Sequence, residues 1–237
     1  MKYKTYGSTQ EALSATDEFY ENKEGFEYNE DLVNKWLSQY VRIPKSGRVL
    51  DLCCGDGIWS KGFKNLNSKL DLYGIDISEG GINKARKLLN TGADKFVLGD
   101  AEKNLPFNDG FFQMIFSRGP GLYNQHDMDR TAAIEIISNW HKKLAPDGLM
   151  YSIFASTPSK VGTYTSMDDA KLPYNRCPRK TEAVDFLGGK YHHDIKSFTA
   201  PFWKAADVNV LEYSFVRNMH ILVTKRIDVT KNMKGSL

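Results

Sequence analysis

Short apolar runs alternate with amphipathic stretches along most of this 237-residue chain. Apolar runs of this length are typical of strands buried on both faces, whereas apolar residues spaced three and four apart indicate helices. Strands that alternate with helices predict an α/β fold with a largely parallel sheet. The predicted strands span about 49–52, 70–76, 95–99, 111–117, 149–155, 208–215 and 219–224, and the predicted helices include 11–20, 30–40, a helix from Ile58 and a helix from Glu79 that stops at Gly92.

The apolar run that begins at Val49 leads directly into a glycine turn. Gly55 and Gly57 carry no side chains, so a ligand can approach the backbone at this turn. The first amide groups of the helix predicted from Ile58 point toward a ligand that is bound at the turn. A strand, a glycine turn and a helix in this order predict a nucleotide pocket.

Two residues distinguish this turn from a dinucleotide-binding fingerprint. The third glycine of that fingerprint is missing, because Ser60 stands three residues after Gly57. Asp51 lies inside the strand, where its carboxylate would repel a pyrophosphate. The same carboxylate suits a cationic ligand, and S-adenosylmethionine carries both an ammonium and a sulfonium group. A nicotinamide-dependent dehydrogenase is therefore the weaker interpretation.

The strand and its turn resemble the first motif of the class I S-adenosylmethionine-dependent methyltransferases, an acid followed by Gly-x-Gly-x-Gly. Asp51, Cys53, Gly55 and Gly57 occupy the positions of that motif. Cys53 departs from the first glycine, and we expect its small apolar side chain to fit. The resemblance implies a three-layer Rossmann-like α/β fold with a mostly parallel seven-stranded sheet and an antiparallel C-terminal strand. It covers residues 45–156.

Further cofactor contacts follow from the resemblance. Asp76 ends the second strand, 25 residues after Asp51, where a carboxylate can hold a ribose diol. Asp100 is expected to accept from the adenine amino group while the amide of Ala101 donates to the ring. Ile77 and Ser117 complete the expected cofactor-binding set. Taken singly, Asp76 and Asp100 are also typical turn residues or helix caps. The implied cofactor is S-adenosylmethionine, with S-adenosylhomocysteine as product and no metal.

The chain is predicted to form one domain with two additions to its core. An N-terminal helical cap spans residues 1–44, the cofactor-binding core 45–156, an insertion over the acceptor site 157–206 and a C-terminal strand pair 207–226. The aromatic residues of the cap can close over a ligand or simply pack its helices on the sheet; they are Phe19, Tyr20, Phe26 and Tyr28. Of these, Tyr28 is a candidate for substrate binding.

The segment after the fourth strand is expected to border the transferring methyl group. Its sequence lacks the Asp/Asn-Pro-Pro-Tyr motif of enzymes that methylate base amines or glutamine amides, and it offers no carboxylate set for a metal. Tyr123 is a candidate for orienting the acceptor. Arg118 is a candidate for substrate binding that can contact either an anionic acceptor or the carboxylate of the cofactor. His126 is the candidate general base, because its side chain titrates near neutral pH. Alternatively, His126 and Asp127 cap the helix that follows.

The insertion carries the remaining candidates for acceptor recognition. Arg176 and Arg179 flank Cys177-Pro178, a pair that predicts a loop. The two arginines can clamp a carboxylate or a phosphate, or they can be ordinary surface charges. His192 is a candidate for substrate binding. Together with His193 it is also the alternative to His126 as general base.

Composition limits the class of protein. A net charge of +3 is too small to indicate nucleic-acid binding, and no apolar run predicts a signal peptide or a membrane span. Three cysteines give no disulfide framework and favour a reducing compartment. We expect a cytoplasmic monomer or homodimer without membrane or nucleic-acid partners.

These observations lead to a methyltransferase that acts on an oxygen or nitrogen of a small polar metabolite, such as a sugar, a nucleotide-linked intermediate or a natural product. Two alternatives stay open: an RNA or protein methyltransferase, and a non-catalytic S-adenosylmethionine-binding protein. The acceptor itself does not follow from the sequence.

Overall fold

The computed structural model describes residues 9–22, 24–26, 28–119, 130–155, 207–216 and 219–226. The helices are α1 Thr9–Asn22, α2 Glu30–Tyr40, α3 Ile58–Leu66, α4 Glu79–Leu89 and α5 Arg130–Lys142. The strands are β1 Gly47–Leu52, β2 Leu70–Asp76, β3 Phe96–Leu98, β4 Phe112–Arg118, β5 Leu144–Ala155, β6 Val208–Val216 and β7 Met219–Arg226.

The seven strands form one sheet in the order β3-β2-β1-β4-β5-β7-β6. Neighbours from β3 to β5 run parallel, whereas β7 pairs antiparallel with both β5 and β6. The fold class predicted from the sequence is thereby confirmed. Chain order reverses between β1 and β4, so the crevice outside their carboxyl ends lies at the topological switch point, where open α/β sheets bind ligands.

Helices cover both faces of the sheet and bury one apolar cluster on each side. Leu50, Ile115 and Met150 face α5, while Val49, Phe116 and Ile153 face the layer of α2, α3 and α4. Successive residues of one strand thus enter opposite clusters, as the period of two in a strand requires. The continuous apolar runs of the sequence reflect this burial on both faces. Among the described helices, none is long and apolar enough to cross a membrane.

Polar side chains determine several helix ends. The Asn29 side chain accepts from the Asp31 and Leu32 amides at the start of α2, and Ser78 accepts from the Gly81 amide at the start of α4. Helix α4 ends at Leu89 because Asn90 adopts a left-handed conformation with φ 51°. The prediction of Gly92 as its stop was therefore wrong.

His141 on α5 is a structural histidine buried against the sheet. Its Nδ1 lies 2.8 Å from the Ile137 carbonyl oxygen, and its Nε2 lies 2.9 Å from the Thr224 hydroxyl. Burial lowers the pKa of His141 to about 4. The ring is therefore neutral at pH 7, with Nδ1–H donating to the carbonyl and Nε2 accepting from Thr224.

Candidate functional site

The glycine turn joins β1 to α3 at the switch point of the sheet. The Cys54 amide donates to the Ile75 carbonyl at 3.1 Å, and the Gly57 amide donates to the Cys54 carbonyl at 3.0 Å. Gly57 has φ 78°, and a Cβ at this position would lie 2.8 Å from the Ala85 Cβ of α4. Gly57 is therefore required by backbone conformation and by helix packing, a role in addition to the predicted access for a ligand.

Asp51 lies beside this turn, near the carboxyl end of β1. Its side chain is 3% exposed, and its Oδ2 accepts from the Ser60 hydroxyl at 2.6 Å. Burial first, and then the nearby carboxylates of Asp76 and Asp56, raise the pKa of Asp51 to about 7, against the hydrogen bond from Ser60, which lowers it. Because the carboxylate is costly to ionise in this environment, a cation placed next to it would be bound strongly.

Asp76 is the last residue of β2 and links that strand to the glycine turn. Its Oδ2 accepts from the Gly55 amide at 2.8 Å, and its Oδ1 accepts from the Ser78 amide at 2.9 Å. The side chain is 6% exposed. A carboxylate oxygen can accept more than one hydrogen bond, so the same group can hold the turn and also accept from the hydroxyls of a ligand.

Asp100 and Ala101 follow the next strand of the sheet. The Asp100 Oδ1 accepts from the Glu102 amide at 2.9 Å, and its Oδ2 lies 3.5 Å from the Lys103 ammonium. The Ala101 carbonyl accepts from the Trp140 indole at 2.6 Å, which fixes this turn against α5. Since β1, β2 and β3 are parallel neighbours, the three acids stand along one edge of the sheet.

Arg118, the last residue of β4, stands at the same edge on the far side of β1. Its guanidinium carbon lies 4.3 Å from the centre of the Tyr28 ring and 5.1 Å from that of Trp59. It also donates to the Tyr28 hydroxyl. Trp59 stacks on Phe116 in turn. The structure thus brings the two substrate-binding candidates Arg118 and Tyr28 into direct contact, on an aromatic support that orients the guanidinium.

Comparisons with known proteins agree with this geometry. Residues 49–148 match the family model described as a methyltransferase domain. This match spans the glycine turn and the three acids, and it agrees with the resemblance to the S-adenosylmethionine-dependent methyltransferases. The demethylmenaquinone methyltransferase of Staphylococcus aureus is 31% identical to this chain over 130 residues, which are 53% of this chain and 50% of the relative. The chain therefore matches about half the length of such curated relatives.

Solved structures of other proteins share the fold. A methyltransferase from Aquifex aeolicus, described as dependent on S-adenosylmethionine, has a TM-score of 0.53 at 13% identity and covers 84% of this chain and 98% of its own. The (4+2)-cyclase SpnF has a TM-score of 0.61 at 14% identity, with 95% of this chain and 98% of SpnF covered. At these identities the likeness establishes the fold alone.

Cys53 stands where the methyltransferase motif has its first glycine. Its φ of 62° is left-handed, a conformation that a side chain makes unfavourable. Burial raises the pKa of the Cys53 thiol well above its usual value, and surrounding acids, Asp76 first among them, raise it further. The thiol is therefore protonated and a poor nucleophile. The expectation that a small side chain fits overlooked the cost of the backbone conformation.

We expect Cys53→Gly to stabilise the protein by about 1 kcal/mol, because glycine adopts this conformation without the steric penalty. Chemical denaturation with urea measures the change. Cys53→Ala is the matched control, since it removes the thiol but keeps the Cβ. A gain for both variants would mean that the thiol, and not the backbone, carries the cost.

Ser117 and Ile77 differ in their access to the site. The Ser117 side chain is fully buried, and its hydroxyl has no hydrogen-bond partner among the described residues. In the sheet, Ser117 is paired with Ser152 of the adjacent strand β5. A ligand contact at Ser117 would therefore have to come from its backbone, whereas Ile77 is half-buried directly after Asp76.

Four candidates, Tyr123, His126, Arg176 and His192, lie outside the described residues. The acceptor roles given to them stay predictions. Within the described part of the chain, no group of three or more histidine, cysteine or acidic side chains is placed to hold a metal ion.

The sequence interpretation missed two residues of the site as specific candidates. Trp59 supports Arg118, and Tyr20 lies over Gly55, where its hydroxyl oxygen is 2.0 Å from the position of a Cβ. A usable signal was the pair Gly80-Gly81 at the start of α4. Two glycines weaken a first helical turn, and here Gly81 allows the close approach of Tyr20 from α1.

Proposed function

We propose that this protein is an S-adenosylmethionine-dependent methyltransferase that methylates an oxygen or nitrogen of a small polar molecule. The observation that carries the proposal is the alignment of Asp51, Asp76 and Asp100 at the carboxyl ends of three adjacent strands. Glycine turns alone serve many nucleotide sites. A buried carboxylate beside the turn favours a cationic ligand over an anionic one.

Each acid has its own role in holding the methyl donor. Asp51 pairs with the donor ammonium group, Asp76 accepts from the ribose hydroxyls and Asp100 accepts from the adenine amino group. The Ala101 amide donates to the adenine ring, and Ile77 packs beside the ribose. Because Asp51, Asp56 and Asp76 repel one another, a bound cation relieves their mutual repulsion.

Methyl transfer needs alignment more than it needs acid or base groups. A lone pair of the acceptor attacks the methyl carbon in line, the carbon–sulfur bond breaks with its electron pair on sulfur, and S-adenosylhomocysteine remains. Holding the acceptor behind the methyl group supplies much of the rate. A hydroxyl acceptor also loses a proton, which His126 accepts in this proposal.

Arg118 is the proposed anchor for the acceptor. Its position at the end of β4 borders the donor crevice, and its contacts with Tyr28 and Trp59 hold the guanidinium in place. A guanidinium fixed in this way favours an acceptor that carries a carboxylate or a phosphate. The demethylmenaquinone methyltransferases among the relatives, which their name links to a small-molecule acceptor, agree with a small acceptor in general.

A second candidate is a protein that binds the donor without transferring its methyl group. The observation that favours it is that Asp51, Asp76 and Asp100 all serve donor binding in this proposal, whereas the candidate base His126 lies outside the described residues. Formation of S-adenosylhomocysteine in the presence of fractionated metabolite extracts separates the two candidates. Extract-dependent turnover supports the proposal, and donor binding without turnover in any fraction favours the second candidate.

We expect Arg118→Gln to raise the KM for an anionic acceptor found in this way by about ten- to a hundredfold, the scale of one hydrogen bond to a charged group. The dissociation constant of the donor should not change. Arg48→Gln is the matched control, because Arg48 also stacks on an aromatic ring, with its guanidinium carbon 3.9 Å from the centre of Phe111, but lies near the start of β1. Equal effects of both substitutions would contradict the assigned role.

A further inference from the structure

The C-terminal part of helix α1 lies on the glycine turn through Tyr20. This side chain is 7% exposed. Its hydroxyl oxygen lies 2.0 Å from where a Cβ on Gly55 would stand, and its ring atom Cδ2 lies 3.3 Å from the equivalent point on Gly81. Any side chain at Gly55 would displace the tyrosine. The hydroxyl is thus held directly over the backbone of the turn.

Several contacts hold Tyr20 in this position. The Lys84 ammonium of α4 donates to the Tyr20 carbonyl at 2.5 Å. Gly81 lets Tyr20 and the glycine turn approach the first turn of α4 closely, because a Cβ on Gly81 would lie 3.1 Å from the Gly55 backbone as well as 3.3 Å from the tyrosine ring. Since glycine is a poor helix former, Gly81 favours this contact over the stability of α4.

The donor brings a carboxylate to the same place. In S-adenosylmethionine, the carboxylate and the ammonium group are attached to one carbon, so a donor whose ammonium pairs with Asp51 has its carboxylate near the turn. Backbone amides often bind such an anion, but four amides of this turn already donate within the protein. They belong to Cys54, Gly55, Gly57 and Ile58.

The charges around the turn also disfavour a carboxylate. Asp51, Asp56 and Asp76 are buried and act on one another electrostatically. An anion placed among them needs a hydrogen-bond donor that is close and already oriented. The Tyr20 hydroxyl meets this need, because phenols donate to carboxylates and the helix contacts fix the ring.

We propose that Tyr20 is a donor-binding residue whose hydroxyl donates a hydrogen bond to the carboxylate of S-adenosylmethionine. Helix α1 is then a part of the donor site and not only a cover for the sheet. This inference rests on the proposed function, since it takes S-adenosylmethionine as the ligand. It assigns to Tyr20 recognition of the one group of the donor that the acids of the site repel.

The test compares Tyr20→Phe with the wild-type protein by titration calorimetry, using S-adenosylmethionine and its decarboxylated analogue. The two ligands share the ammonium, the sulfonium, the ribose and the adenine and differ in the carboxylate. We expect Tyr20→Phe to weaken binding of S-adenosylmethionine about ten- to a hundredfold. Binding of the decarboxylated analogue should change less than about twofold, because phenylalanine preserves the ring contacts with the two glycines.

Tyr73→Phe serves as the control, since the Tyr73 hydroxyl donates to Asp71 at 3.0 Å, away from the turn. It should leave binding of both ligands unchanged. The inference is overturned if Tyr20→Phe binds S-adenosylmethionine as tightly as the wild type, or if both ligands weaken equally, which would indicate a packing role. A wild-type protein that binds neither ligand would instead contradict the proposed function.

Discussion

Replacing Asp51 by asparagine is expected to weaken S-adenosylmethionine binding about a hundredfold at pH 7.5, the scale for removing one partner of a buried charge pair. Asparagine keeps the size of the side chain and can still accept from Ser60, whose hydroxyl lies 2.6 Å from Asp51 Oδ2. It cannot supply the negative charge that the donor ammonium requires. Titration calorimetry of the two proteins measures the difference.

The pH dependence of binding gives this substitution a distinctive signature. Burial raises the pKa of Asp51 to about 7, so the ligand-free side chain is protonated in weakly acidic solution. A cationic donor binds the ionised form, and its affinity should fall about tenfold for each pH unit below about 7. In the asparagine variant this dependence should disappear. A variant that retains the wild-type slope would show that another group titrates.

The same Asp51→Asn substitution should stabilise the folded protein although it weakens binding of the donor. The folded pKa of Asp51 lies above its ordinary value of 3.8, so the unfolded chain loses the proton first as pH rises. Folding is therefore penalised increasingly between these two values and fully above about pH 7. We expect the Asp51→Asn protein without ligand to be more stable at pH 8 by a few kcal/mol in order of magnitude, as urea denaturation would show. Loss of binding then cannot be attributed to unfolding.

Replacing Asp76 by asparagine is expected to weaken the binding of S-adenosylhomocysteine about a hundredfold, because two charge-assisted hydrogen bonds to the ribose are lost or weakened. In the asparagine side chain, an NH2 group also replaces one of the two oxygens that accept from the Gly55 and Ser78 amides, and this group donates instead of accepting. Titration with the 2′-deoxy analogue separates these effects. The wild type should bind that analogue more weakly than the parent compound, whereas the variant should hardly distinguish them.

Asp71→Asn is the matched control for this experiment. Asp71 lies near the start of the same strand, where its partly exposed side chain is paired with Lys95 and Tyr73. Its replacement should leave donor affinity unchanged. An Asp76→Asn protein that still discriminates fully between the two ligands would contradict the assignment of Asp76 to the ribose.

The strands of the core were predictable because burial on both faces leaves a local pattern in the sequence. The runs at Val49 and Phe112 each supply side chains to both apolar clusters, and their apolar continuity follows directly from that arrangement. Helix ends were less predictable. Asn90, not Gly92, ends α4, because a left-handed asparagine two residues earlier already satisfies the final turn.

The parts of the site that the sequence did not predict depend on contacts between distant segments. Tyr20 reaches Gly55 across 35 positions of the chain, and Trp59 supports an arginine from β4. No local periodicity encodes such contacts. The left-handed conformation of Cys53 could not be predicted for another reason. Residues other than glycine disfavour this backbone conformation, so a cysteine gives no local signal for it and adopts it only in the folded turn.

The most direct test of the account compares S-adenosylmethionine with a nicotinamide dinucleotide in titration calorimetry of the intact chain at pH 7.5. The buried acid beside the glycine turn predicts saturable 1:1 binding of S-adenosylmethionine and no heat of binding from the dinucleotide. Binding of the dinucleotide, or no binding of S-adenosylmethionine at millimolar concentration, would contradict the account.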